Sequence, residues 1–271
     1  MVRHLVVGAL LLAFCARAEA QDTRTVCEGG ADRDRVISAC SDIIADKSNR
    51  DSVLATAHVR RGALRLTGND ITGAREDFDA AIILDGQNAA AYLGRAQAAI
   101  VAEHPDQALA DFAAAEKLEP KAPALHLARA QFYLSQHRYT EAAADADLDR
   151  YPMGMGTTFL ILRCRARAYG GFELDKGRQA CDEALWAQPG QLAVTEARGI
   201  IALKQKRYPA ALTDFTSLST SQPRVARAWY GKGLAEIGLG RADDGKADIA
   251  HAQQINANIA TVYSELGLPP G

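Results

Sequence analysis

Residues 89–120 read AAAYLGRAQAAIVAEHPDQALADFAAAEKLEP, and the placing of small and bulky side chains in this stretch decides the fold. Ala96 sits in the middle of one helix-like run, Ala108 in the next, and Phe112 follows four residues later. The second small residue recurs as Ala74, Ala108, Ala142, Gly177, Ala211 and Gly245, at steps of 34, 34, 35, 34 and 34. Four residues after each stands Phe78, Phe112, Ala146, Cys181, Phe215 or Ile249. The first small residue recurs as Gly62, Ala96, Ala130, Ala166, Gly199 and Gly233, slipping only around the fourth unit. A period of this length, with small and bulky positions in alternation, predicts stacked helix pairs. Each pair is too small to bury its apolar face alone, so neighbours supply the core.

Further positions fit the same template: Tyr92 and Trp229 near the starts of first helices, Ala81, Ala115, Ala184 and Ala252 three residues beyond four of the fillers, and Pro120, Pro189 and Pro223 closing units. With these residues the chain resembles the tetratricopeptide repeat family over roughly residues 55–256. The resemblance implies an all-α, right-handed superhelical solenoid whose concave wall, lined by first helices, binds a peptide or protein segment. Six repeats are expected at 55–88, 89–122, 123–157, 158–190, 191–224 and 225–257. Residues 21–54 are expected to form an amino-terminal cap with a degenerate half repeat, and 258–271 a capping helix and tail in which Ile259, Val262, Tyr263 and Leu266 share a face. The third unit departs from the template at Ala146 and Asp149, and Tyr151, Pro152, Met153, Gly154, Met155 and Gly156 predict a kinked junction. Helix punctuation is expected from Gly86 as a left-handed terminator, Asn88 as a cap, and Gly68, Gly170 and Gly238 in the turns.

Composition agrees. Hydrophobic residues make up 48% of the 271 positions but aromatic residues only 6%, a core of alanine and leucine without the β-branched and aromatic richness of strands. A formal charge of −2 gives no broad cationic field, which argues against nucleic acid held through its phosphates.

The first twenty residues read as an address. Arg3 and His4 precede an apolar run from Leu5 to Phe14, and Ala18, Glu19 and Ala20 form a cleavage signature. The run is too short to span a bilayer. A cleaved signal peptide over 1–20 places the rest of the chain in the periplasm or outside the cell. Its loss removes Cys15 and leaves Cys27, Cys40, Cys164 and Cys181, which allow three connectivities. Cys164 and Cys181 are equidistant from a turn at Phe172, and Cys27 and Cys40 are near neighbours, so the local pairs are expected. A loop of such length adds about 3 kcal/mol on the chain-entropy model.

A charged series runs beside the small one. Arg61, Arg95, Arg129, Arg165, Arg198 and Lys232 precede the first small residue, and Asp77, Asp111, Asp145, Asp214 and Asp248 precede five of the fillers, which predicts an ion pair inside each of five helix pairs. The fourth unit has Ala180 where the acid belongs, and it adds Arg163 and Arg167 to the same helix. By repeat phase Arg163 and Arg167 join Gln97, Gln131 and Tyr230 on the groove wall as candidate binding residues.

Signatures of chemistry are missing from the sequence. Gly240 to Ala247 imitates a phosphate loop but has Ala247 for the hydroxyl and Asp243 and Asp244 against phosphate. Asp145, Asp147 and Asp149 imitate a calcium loop, with Arg150 at the glycine place. The histidines show no paired metal spacing. No catalytic residue, cofactor site or metal site is therefore assigned, and the expected role is a non-catalytic scaffold that holds a peptide or protein segment. The alternative is a groove for a small acidic ligand, a glycan or lipid head group, in a sensor or an enzyme accessory subunit.

Overall fold

The computed structural model describes residues 22–30, 32–147 and 154–268. The expected signal peptide, residues 151–153 of the expected kink and the terminal Pro269 and Pro270 lie outside the described residues. Every regular element among the described residues is a helix, and successive helices pack as antiparallel pairs. They form two compact units that divide after Leu125.

The first unit contains α1 (residues 22–29), α2 (Arg33–Ala45), α3 (Asp51–Thr67), α4 (Ile71–Leu84), α5 (Ala89–Val101) and α6 (Pro105–Leu118). Its packing rule is visible at Phe78, which is 1% exposed. A methyl group added at Gly62 on α3 would come within 3.1 Å of the Phe78 ring, and one at Gly94 on α5 within 2.3 Å. The missing side chains are what let one phenyl ring wedge between its own pair and the next. Full burial of such a ring contributes about 1.5–3 kcal/mol. At the amino-terminal end α2 packs on α3 through Val36, Cys40, Ile43 and Leu54, and Cys27 lies 2.11 Å from Cys40, sulfur to sulfur.

The division falls inside α7 (Pro123–Ser135); the second unit contains that helix from His126 on, with α8 (Tyr139–Ala146), α9 (Gly156–Gly170), α10 (Leu174–Ala187), α11 (Leu192–Lys204), α12 (Tyr208–Ser221), α13 (Ala226–Gly238), α14 (Ala242–Ile255) and α15 (Ile259–Glu265). Phe215 repeats the wedge, with the Cβ positions of Gly199 and Gly231 at 2.8 and 2.3 Å from its ring. The sulfurs of Cys164 on α9 and Cys181 on α10 are 2.15 Å apart, and both residues are fully buried. Helix α15 buries Ile259 and Tyr263, the latter against Tyr230 with ring centroids 4.7 Å apart.

Local chemistry sets the helix ends. Asp32, Asp70 and Asn88 accept from the backbone amides of Arg35, Gly73 and Ala91, which satisfies donors that have no partner inside the helix. Gly86 is not a left-handed terminator: α4 ends at Leu84, and Asp85 already turns away with extended backbone. The left-handed residue falls instead in the turn inside each pair, at Asn69, Glu103, His137, Glu173, Lys206 and Gly240.

Candidate functional site

The five expected ion pairs all form, and their geometry identifies the one place where the pattern fails. Arg61 bonds Asp77 at 2.7 Å, Arg95 bonds Asp111 at 2.7 Å, Arg129 bonds Asp145 at 2.7 Å, Arg198 bonds Asp214 at 2.7 Å and Lys232 bonds Asp248 at 2.7 Å. The carboxylates are buried or nearly so, and the four arginines approach them two nitrogens at a time. Two histidines join them. His58 Nδ1 lies 2.8 Å from Asp77, and His126 Nδ1 lies 2.9 Å from Asp145. Burial alone would raise the Asp77 carboxyl, but bonds from His58, Arg61 and Arg65 hold it below the ordinary aspartate range.

Arginine and acid in these pairs stand sixteen residues apart. Counting sixteen back from Ala180 reaches Cys164, not Arg165. The turn between α9 and α10 has three residues, as in the other five pairs, and Cys164 stands six residues before the end of its helix as Arg61, Arg95, Arg129, Arg198 and Lys232 do; it is the small residue Ala166 that lies one place nearer the turn, eleven rather than twelve residues before Gly177. One residue is about 100° of helix. Cys164 thus takes the pairing position and bonds Cys181, while Arg165 is rotated out of the pair.

This rotation corrects the expected groove positions on α9. Arg167 is buried, at 2% exposure, with Asp147 at 2.6 Å and Glu173 at 2.8 Å. Burial alone would lower its pKa, but those two carboxylates raise it. Arg163 is half-buried, donating to the Ala146 carbonyl at 2.9 Å and pairing with Asp147 at 3.1 Å. Both arginines staple the end of α8 to α9 rather than displaying their forks. Tyr230 is also withdrawn, 1% exposed beneath Tyr263. Gln97 on α5 and Gln131 on α7 are exposed as expected, each within its own unit.

Arg165 instead lines a cavity of about 330 Å³ in the second unit. The turn between α7 and α8 supplies His137, and α8 supplies Tyr139, whose rings stack at 5.8 Å. Tyr139 meets Tyr169 of α9 edge-on at 6.0 Å. Arg227 enters from α13, and Val262, Glu265 and Leu266 from α15. Arg165 lies 5.8 Å from the centroid of the Tyr169 ring, and its Nε is buried with no hydrogen-bond partner among the described residues. Arg227 spends one nitrogen on Glu196 at 3.1 Å. Burial pushes the Tyr139 phenol up, only partly offset by Arg227, and burial with Glu196 pushes the Tyr169 phenol up against the charge and hydrogen bond of Arg165, so both stay protonated at neutral pH. Of this cluster, reading the residues singled out only Arg165, through its lack of an acid. The aromatic residues come from one turn and two helices at separations that no short motif records.

Among the described residues no three His, Cys, Asp or Glu side chains converge as a metal-binding group, and no helix is long and apolar enough to cross a membrane.

Comparison with known proteins gives the following. A tetratricopeptide repeat family model matches residues 93–152 and 196–251. No curated protein is similar to the chain in sequence. Among solved structures, PilW, a widely conserved type IV pilus biogenesis factor, aligns at TM-score 0.61 and 19% identity, over 79% of this chain and 97% of its own. PilF of Pseudomonas aeruginosa aligns at TM-score 0.62 and 14% identity, over 81% and 99%. A tetratricopeptide repeat protein of Parabacteroides merdae aligns at TM-score 0.55 and 13% identity, over 92% and 95%. At these identities the likeness is one of fold.

Proposed function

Because the chain belongs to the tetratricopeptide repeat family, we propose that it is a non-catalytic scaffold which binds a peptide or protein segment along its first helices, in the periplasm or outside the cell. The observation that carries this reading is the division of labour within each helix pair. Small residues, wedge rings and buried ion pairs do the stacking, and positions such as Gln97 and Gln131 are left exposed on first helices with no role in it. A surface spared from folding is available to a partner.

The same reading takes residues 1–20 as a cleaved signal peptide, 21–54 as the amino-terminal cap, 55–257 as six repeats and 258–271 as the closing segment. Export is supported by two buried cysteine pairs at bonding distance, since such bonds persist in oxidising compartments. The near-balanced charge supports a protein partner over nucleic acid.

Two experiments test it. Alkaline phosphatase fused after Gly271 should be active in cells and should lose activity when residues 2–20 are deleted; equal activity of both fusions refutes export. Displayed peptides of about fifteen residues, selected on the full chain, should converge on one pattern and bind less tightly to Gln97→Glu or Gln131→Glu. Failure of any pattern to enrich above a folded control refutes segment binding.

A further inference from the structure

The cavity around Arg165 is a half-open hollow. Helix α15 lines one side through Val262, Glu265 and Leu266, and the turn between α7 and α8 lines another through His137. Its volume of about 330 Å³ is at the small end of ligand cavities and holds a ring-sized molecule rather than a through-running polypeptide. The interior is amphipathic. Tyr139 and Tyr169 form an aromatic wall continued by the apolar Leu134 and Leu266, while Arg165 and Arg227 bring two guanidinium groups to the same space, with Glu265 in the lining and Glu196 behind it on Arg227.

One buried donor there is unspent. Nε of Arg165 is buried with no hydrogen-bond partner among the described residues, and the guanidinium otherwise meets only the Tyr169 phenol, so its remaining nitrogens are the donors that an anion in the cavity would take. Elsewhere the chain places its buried-face arginines on aspartates. Here Cys164 holds the place of the paired arginine, and Arg165, one residue on, lines a cavity instead of meeting an acid on the neighbouring helix.

We propose that this cavity is a binding site for a small ring-bearing carboxylic acid, with the carboxylate on Arg165 and Arg227 and the ring against Tyr139 and Tyr169. The role goes beyond segment binding and does not depend on it. A planar guanidinium matches a carboxylate with two parallel bonds, which a lysine at the same place cannot reproduce. Tyrosine faces take either a flat aromatic ring or the apolar face of a sugar, so the acid can be an aromatic acid or a uronic acid.

The full chain is titrated with phenylacetate and with glucuronate, and with the neutral phenylacetamide and glucose, while tyrosine ring resonances are followed by NMR. A ligand this small binds with a Kd of roughly 0.1–10 mM. At least one acid should bind about tenfold more tightly than its neutral counterpart, the difference expected of a charge-assisted pair. Which acid does so identifies the ring. Arg165→Gln should weaken that acid by about tenfold or more, with an unchanged helical circular dichroism signal. Arg165→Lys keeps the charge and should still weaken it several-fold, which separates recognition by the fork from general attraction. Equal binding of acids and neutral analogues, no saturation by either acid at about 50 mM, or unchanged affinity in Arg165→Lys overturns the assignment.

Discussion

Replacing Asp77 by Asn removes one charge from the most heavily bonded carboxylate of the first unit while leaving its shape. Asp77 is 2% exposed and accepts from His58 at 2.8 Å, Arg61 at 2.7 Å and Arg65 at 2.8 Å. In the variant two cations remain, with side chains 14% and 27% exposed. Breaking a buried pair by removing one partner costs about 3–5 kcal/mol, whereas a surface pair is worth about 0–1 kcal/mol. Arg61 keeps a bond to Ser41 at 2.9 Å, and Arg65 can turn toward Asp70 at 3.6 Å, so the loss should fall near the lower figure, about 3 kcal/mol. Urea unfolding followed by circular dichroism measures it, as a lower midpoint at unchanged slope. Replacing both partners, Arg61→Met with Asp77→Leu, should restore most of that loss because no buried charge is stranded. The pH dependence has a fixed sign. The folded pKa of Asp77 is depressed, so its contribution is present above the ordinary aspartate value of 3.8 and is lost as pH falls through the lower folded value. A loss below about 1 kcal/mol, or a double variant less stable than Asp77→Asn, would show that this is a surface pair and that the register of α3 on α4 is set by apolar packing alone.

Three further outcomes follow from the packing. Gly231→Ala places a methyl 2.3 Å from the Phe215 ring and should cost about 1–3 kcal/mol, read as a lower Tm, whereas Gly190→Ala has no atom within 4 Å and tests only its left-handed backbone. Lys206→Gly relieves a left-handed lysine at φ 57° and should stabilise by about 0.5–1 kcal/mol in the same assay; destabilisation would mean that the turn is set by the lysine side chain. Reducing the Cys164 and Cys181 bond, which closes a separation of 17 residues, should cost about 3 kcal/mol, seen in a Cys27→Ser, Cys40→Ser background as a drop in Tm with dithiothreitol that adding Cys164→Ser and Cys181→Ser abolishes.

Much of this fold was legible because a repeat states its packing rule several times. Gly62 and Phe78, or Gly199 and Phe215, say little singly, but the same spacing in successive units can only be a contact made over and over. The ion pairs were legible for the same reason, and the cysteine pairs because a hairpin makes residues equidistant from its turn face each other. What escaped is non-repeating. His58 and His126 both stand nineteen residues before the aspartate that they bond, a regularity that a search of the histidines for metal spacing passes over. Tyr230 was expected on an open wall, but the residue that covers it, Tyr263, belongs to the last helix, outside the period.

The fourth pair shows how a period can mislead at the one point where it slips. Aligning by the small residue of α9 puts Arg165 in the row of paired arginines, and the absence of an acid opposite it then reads as a gap in the row. Aligning by the bonds made puts Cys164 there: it meets Cys181 seventeen residues on, the same interval that separates Arg61 from Phe78. The covalent bond replaces the ion pair and the wedge ring at once, which is why Cys181 can stand at a filler position held by Phe or Ile in four of the other five units. Freed from that duty, the arginines of α9 divide. Arg163 and Arg167 hold Asp147 across to α8, and Arg165 faces Tyr169 beside a cavity. Cys164 in the place of the paired arginine therefore accounts for the buried disulfide, and the same one-place offset along α9 turns Arg167 toward Asp147 and Glu173 and leaves Arg165 without an acid across the pair.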